Sequence, residues 1–285
     1  MVAPFWLVAG DVAPVQQTST TCGSAALTVA RMLANPAFAQ WIRDGIRKDA
    51  REGEVPDAGT EADRFAAYEQ VVASRTNAVV GAGRRLQLPW PRALGTPPWG
   101  ALHELELGAA EPDAGYAVAW FRHRGRVGLE RTYADLRRRV RPGRPALLYV
   151  GNAWSPRHVV LVMPPTGEQE LDVYEPSIGR VVDLPQERFV ERRLAIAGWD
   201  VPWAAVWAAP GTPDPSRGHR GPGARKAIAL DEQWPLDRCN PATRGSSADA
   251  LRDVSRCGPG RLHRSRAPRA ARAGRRGSRR RRPRS

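Results

Sequence analysis

From Cys22 to Leu33, apolar side chains at Ala25, Ala26, Val29, Ala30 and Leu33 recur at steps of three and four residues. That spacing predicts an amphipathic helix whose first turn opens at the cysteine. Asn35-Pro36 reads as a cap followed by the first position of a second helix, with Phe38, Trp41, Ile42 and Ile46 as its buried stripe. Thr60 and Asp63 form a capping pair that opens a third helix, running to about Ser74, and a shorter fourth follows Thr96-Pro97-Pro98. After Ala114 the period changes. Tyr116–Phe121, Ala146–Val150, Val159–Met163, Leu171–Tyr174, Val181–Leu184 and Val201–Ala208 are short β-rich runs, several bounded by Gly, Pro or Asn. Helices over Thr132–Val140 and Pro185–Leu194 interrupt them. Helices first and a mostly antiparallel sheet afterwards predict an α+β domain over residues 1–210.

From Gly211 onward no period survives. The stretch 211–285 mixes Arg, Pro, Gly and Ser with few large apolar residues, a composition that cannot offset the entropy of ordering, and a disordered tail is expected. The split also resolves the charge. The chain of 285 residues has a formal charge of +15, but residues 1–210 hold 24 basic and 23 acidic side chains, and residues 211–285 the remaining 20 and 6. The high isoelectric point therefore describes the tail, and the body is nearly neutral. Of the 44 basic residues only Lys48 and Lys226 are lysines. Such a composition also arises when GC-rich coding sequence is read out of frame, so two origins stay open for the tail: a basic module, or a frameshifted or read-through extension.

The three cysteines are Cys22, Cys239 and Cys257, two of them in the tail, which argues against a disulfide framework and for a reducing compartment. The opening MVAPFWLVAG lacks the basic flank and cleavage site of a secretory signal. No run approaches the roughly 18 apolar residues a spanning helix needs. A cytoplasmic protein is expected.

Three segments carry the candidate chemistry. In the first, Gln16 to Ala26, a cysteine at the start of a helix lies beside unpaired backbone N–H groups and the positive end of the helix dipole, which favours the thiolate. Gly23 is expected to leave room for substrate beside the sulfur. The Cys22 N–H and the Gln16 side-chain amide are candidate donors to a tetrahedral oxyanion. In the second, Trp154 to Val162, a loop turns into an apolar strand at His158, a rigid mount for a general base that must still reach a cleft. In the third, Asp172 to Gly179, a strand ends in Glu175 and a turn. If the two strands pair, Glu175 orients the imidazole from the side facing away from sulfur. Asp172 is its rival, and under period two it shares a face with Tyr174 while Glu175 takes the other.

A Gln six residues before a Cys-Gly that opens a helix, a later His leading an apolar strand, and an acidic-Pro-x-x-Gly turn 17 residues beyond it together resemble the bacteriocin-processing (double-glycine) peptidase family and its papain-like relatives. The resemblance covers about residues 12–34 and 150–184. It implies a papain-like fold, with Gln16 as oxyanion donor, Cys22 as nucleophile, His158 as base and Glu175 as orienter. It also implies a peptide or protein substrate, cleaved through an acyl-enzyme without cofactor. This chain departs from the pattern in having Glu175 where the family usually has Asp, and in a longer segment between Cys22 and His158. Within that segment Leu86–Ala114, with Trp90 and Trp99, has no counterpart.

Other readings attach to the same residues. A zinc site from Cys22, His158 and Glu175 lacks any Cys-x-x-Cys or His-x-x-x-His element, and no metal is expected. Trp154 is read as a cleft wall or as core, and His103 and His123 as surface residues. An interaction protein that kept the fold and lost turnover, and acyl transfer to an amine in place of water, both remain open. Nucleic acid is expected only as a partner of the tail, which would bind phosphates without sequence preference.

Overall fold

The structure, a computed structural model, describes residues 4–46, 59–165 and 170–210. The tail expected over 211–285 lies outside the described residues. Four helices come first: α1 (Cys22–Ala34), α2 (Pro36–Asp44), α3 (Glu61–Asn77) and α4 (Pro98–Glu104). Then follow β1 (Tyr116–Trp120), α5 (Arg126–Arg139), β2 (Ala146–Gly151), β3 (Pro156–Met163), β4 (Leu171–Glu175), β5 (Arg180–Leu184), α6 (Gln186–Glu191) and β6 (Val201–Ala208). The strands form one sheet in the order β1-β6-β2-β3-β4-β5, with every pairing antiparallel. The α+β class follows from this order.

Strand alternation divides the interior in two. Tyr149, Val159, Leu161, Tyr174 and Val206 join a core with α1, α2 and α3. Leu148, Val150, Val160, Val162 and Val173 join a second core with Leu129, Tyr133 and Leu136 of α5 and Phe189 of α6. Because the central strands are covered on both faces, they read in sequence as continuous apolar runs.

Helix α1 is not the amphipathic surface helix its spacing predicted. Every residue from Cys22 to Ala30 is buried, since α1 is packed by helices as well as by the sheet. Its small residues, Gly23, Ser24, Ala25, Ala26 and Ala30, allow that close approach on all sides. Helix α2 starts as read, with the Asn35 side chain accepting from the Phe38 N–H and Pro36 in the first position. It ends at Asp44 because Gly45 takes the left-handed conformation (φ 71°), so Ile46 falls outside the buried stripe and is 51% exposed. The buried Arg64 guanidinium closes that end, donating to the Ile42 carbonyl at 2.9 Å and the Arg43 carbonyl at 2.8 Å. Helix α3 opens on the Thr60/Asp63 capping box and runs three residues past the expected end. Helix α5 begins six residues before its predicted start. Helix α6 stops three residues short, at Arg192 in the left-handed region (φ 59°).

Candidate active site

The loop ahead of α1 is stitched to the turn beyond β4. The Gly10 N–H donates to the Val181 carbonyl, Ala13 to Gly179 and Gln16 to Pro176, at 3.0, 2.8 and 2.9 Å, and the Tyr174 hydroxyl donates to the Pro14 carbonyl. Gly179 permits this with φ 60°, and a Cβ there would lie 2.5 Å from the Ala13 oxygen. The approach to Cys22 and the exit from Glu175 are thus neighbours by backbone bonding, although about 150 residues separate them in sequence.

On the sheet side, β2 and β3 form a hairpin whose register shifts at Val150/Gly151. A Cβ on Gly151 would lie 2.1 Å from the Ser155 oxygen, so the close turn requires glycine. Asn152 braces it by accepting from the Trp154 and Ser155 N–H groups at 2.8 and 3.0 Å. Pro156 pairs with Gly151, which makes His158 the third residue of β3 and not the first, as the onset of apolar residues had suggested. Trp154 stands 87% exposed at the tip of this loop and belongs to neither core.

β3 and β4 pair antiparallel, with Leu161 opposite Tyr174. Their free ends bring together the two groups expected to meet: His158 Nε2 lies 2.7 Å from Glu175 Oε1. The same oxygen accepts the Ser177 N–H at 2.8 Å. With Nε2 engaged, Nδ1 is the ring nitrogen left for the thiol, and the Cys22 side chain is within hydrogen-bonding reach of the imidazole. Burial alone would lower the His158 pKa, but hydrogen bonds to Cys22 and Glu175, together with their charges, raise it to about 9. For Glu175, burial pushes the carboxyl up, while the bond and charge of His158 and the Ser177 N–H outweigh it and hold it below the usual range. Cys22, His158 and Glu175 are 3%, 5% and 2% exposed, so the row is nearly dry and its electrostatics are strong. Asp172 is buried too, in β4 between Met163 and Asp183.

Two expectations around the sulfur change. Gly23 does not open space for substrate: a Cβ there would lie 2.6 Å from Thr96 Cβ, so the missing side chain makes room for Thr96. Gln16 does not direct its whole amide toward the sulfur. Its Nε2 donates to the Thr18 carbonyl at 2.9 Å, which leaves one of its two N–H groups, and the reversed amide would set two oxygens against each other.

Sequence reading missed Thr96, Tyr149 and Glu69. Buried Thr96 faces Gly23 and Ser24, with its hydroxyl 3.4 Å from Ser24 Oγ, and its carbonyl accepts the Tyr149 hydroxyl at 3.2 Å. Tyr149 is pushed well up, by burial first and then by the charge of Cys22, which sets it beside the sulfur. Thr96 stands in Gly-Thr-Pro-Pro, which marks only a helix start. Tyr149 reads as one more residue of an apolar strand. His103 is half-buried, with Nδ1 3.0 Å from Gln87 Oε1, whereas His123 is exposed as expected. Among the described residues no three His, Cys, Asp or Glu side chains are grouped to hold a metal, and no helix is long and apolar enough to cross a membrane.

No family model matches the chain, and no curated protein matches it. Among solved structures the chain is similar to the Pseudomonas avirulence protein AvrPphB, at 12% identity, covering 69% of this chain and 95% of that one, with a TM-score of 0.38. A likeness that distant carries no weight for fold or chemistry, which rest on the geometry above.

Proposed function

We propose that this protein is a thiol hydrolase of papain-like fold that cleaves an amide or peptide bond. The reading rests on one observation, the buried row from Cys22 through His158 to Glu175, with the sulfur at the first position of a helix. A helix N-terminus, an imidazole with one nitrogen free for the thiol, and a carboxylate on the other nitrogen are the parts that nucleophilic acyl chemistry needs.

The steps follow from these positions. Cys22 passes its proton to His158 Nδ1, and the sulfur attacks the carbonyl carbon. The C–S bond forms as the carbonyl π pair moves to oxygen, and the oxyanion meets the first-turn N–H of Cys22 and the remaining N–H of Gln16. Collapse breaks the C–N bond, and His158 gives its proton to the leaving amine. Water then attacks the thioester with His158 as base, and the acid product leaves with Cys22 restored. Glu175 keeps the ring turned and offsets its charge throughout.

The burial of all three groups favours one second reading, an interaction protein that holds this arrangement without turnover. Incubating the full chain with a mixed peptide pool separates the two. The hydrolase releases new termini and carries a transient acyl mass on the Cys22 peptide, both absent in Cys22→Ala. A wild-type digest identical to that of Cys22→Ala would leave the scaffold reading.

A further inference from the structure

Glu69 is a charged residue in the middle of α3, wholly buried, and none of the steps above uses it. Its neighbours along the buried face of α3 are Phe65, Tyr68 and Val72, so packing against α1 would be served by an apolar residue. A carboxylate taken out of water costs several kcal/mol unless hydrogen bonds replace the water. Here the replacements come from the loop that carries the nucleophile. The Gln17 N–H donates to both carboxylate oxygens, at 3.2 and 3.3 Å, and the Thr21 hydroxyl bonds the same group. Burial pushes the Glu69 carboxyl up, and these two bonds work against it. From β4, Tyr174 faces it and is itself pushed up, by burial and then by the charges of Glu69 and Glu175.

The position of Thr21 gives this contact its meaning. Thr21 is the N-cap residue of α1, yet its side chain makes no cap bond to the helix. An N-cap hydroxyl normally satisfies one of the free first-turn N–H groups. Here it is directed instead to Glu69 and to the Thr18 carbonyl, 3.0 Å away. The N–H groups beside the sulfur are therefore left for an anion.

We propose that Glu69 is a positioning residue for the hydrolytic reaction: by clamping Gln17 and Thr21 it fixes the first turn of α1 at the attack geometry and keeps the Thr21 hydroxyl off the amides that serve the sulfur and the oxyanion. This rests on the thiol-hydrolase reading.

The test uses the full chain and the rate of iodoacetamide alkylation at Cys22, read on the Cys22 peptide by mass spectrometry so that Cys239 and Cys257 do not contribute. Glu69→Leu keeps the volume and removes both acceptors. It should slow alkylation roughly 10-fold or more, towards the ~10²-fold that a misplacement of about 1 Å costs. Glu69→Gln should stay within a few-fold of wild type, since its amide oxygen still accepts from Gln17 and its NH2 can serve the Thr21 hydroxyl. Thr21→Val should fall between them, and the double variant should be no slower than Glu69→Leu. A Cys22 rate unchanged in Glu69→Leu, whatever its melting temperature, overturns the proposal. If Glu69→Leu does not fold, Thr21→Val decides alone: slowing supports the clamp and the wild-type rate overturns it. A wild-type Cys22 no faster than free cysteine is a different result, which removes the hydrolase reading and the clamp with it.

Discussion

The two sides of the candidate site are built by different means. On the sheet side, backbone pairing does the placing: the β2–β3 hairpin with its register shift sets His158, the β3–β4 pairing sets Glu175, and a single direct bond of 2.7 Å joins them. On the helical side, side chains do it. The loop before Cys22 is held by the Glu69 carboxylate, and the first turn of α1 is backed by Thr96 in the space left by Gly23. The sheet side therefore controls protonation, and the helical side controls where the sulfur stands. Substitutions on the two sides should differ in kind: the first should alter pH profiles and rates, the second stability and reach.

The largest expected effect is on the sheet side. His158→Ala removes the only ring beside the sulfur and should abolish peptide turnover, with a loss on the order of 10⁴-fold or more in kcat. Glu175→Gln keeps an acceptor for the Nε2–H and loses the charge. Its kcat should fall about 10²-fold, the lower end of what acid–base groups contribute, with KM little changed. A loss in KM alone would place Glu175 outside the chemistry.

Next comes a change confined to the helical side. Gly23→Ala puts a methyl 2.6 Å from Thr96 Cβ inside a packed interior, and should cost about 1–3 kcal/mol in urea unfolding. An unchanged midpoint would mean that the first turn of α1 is looser than described. A smaller effect links the pair to pH. His158 has a pKa raised to about 9 in the folded protein, above the ordinary value of about 6.5 in the unfolded chain. The stability it contributes is fully present below about 6.5 and is lost as pH rises through about 9. Glu175, held low, contributes above its unfolded value and loses that contribution as pH falls through its folded one. Unfolding free energies from pH 6 to 10 should therefore decline more steeply for wild type than for His158→Gln. Parallel curves would contradict the raised value.

The same division explains what could be read from sequence. The sheet side was legible because local signals suffice: an apolar run after a turn, an acid-Pro-x-x-Gly exit, and a short connection that makes an antiparallel hairpin the default. Even there the first strand residue was misplaced by two, because Pro156 and Arg157 are polar-looking strand residues beyond a bulge. On the helical side the start of α1 at Cys22 was legible and its surroundings were not. A glycine after a cysteine looks the same whether substrate or Thr96 fills the space. Glu69 reads as solvent-facing until its partners, the Gln17 amide and the Thr21 hydroxyl, are known to lie about 50 residues away. Small residues gave α1 a helical period, but complete burial depended on contacts from three helices and a sheet.

The central claim is that sulfur and imidazole meet. Its most direct measurement is the rate of Cys22 alkylation by iodoacetamide near pH 7, in wild type and in His158→Ala. The account predicts that wild-type Cys22 reacts faster than free cysteine and that the substitution removes the advantage while the fold persists. Equal rates in the two proteins, at or below the rate of free cysteine, would contradict it.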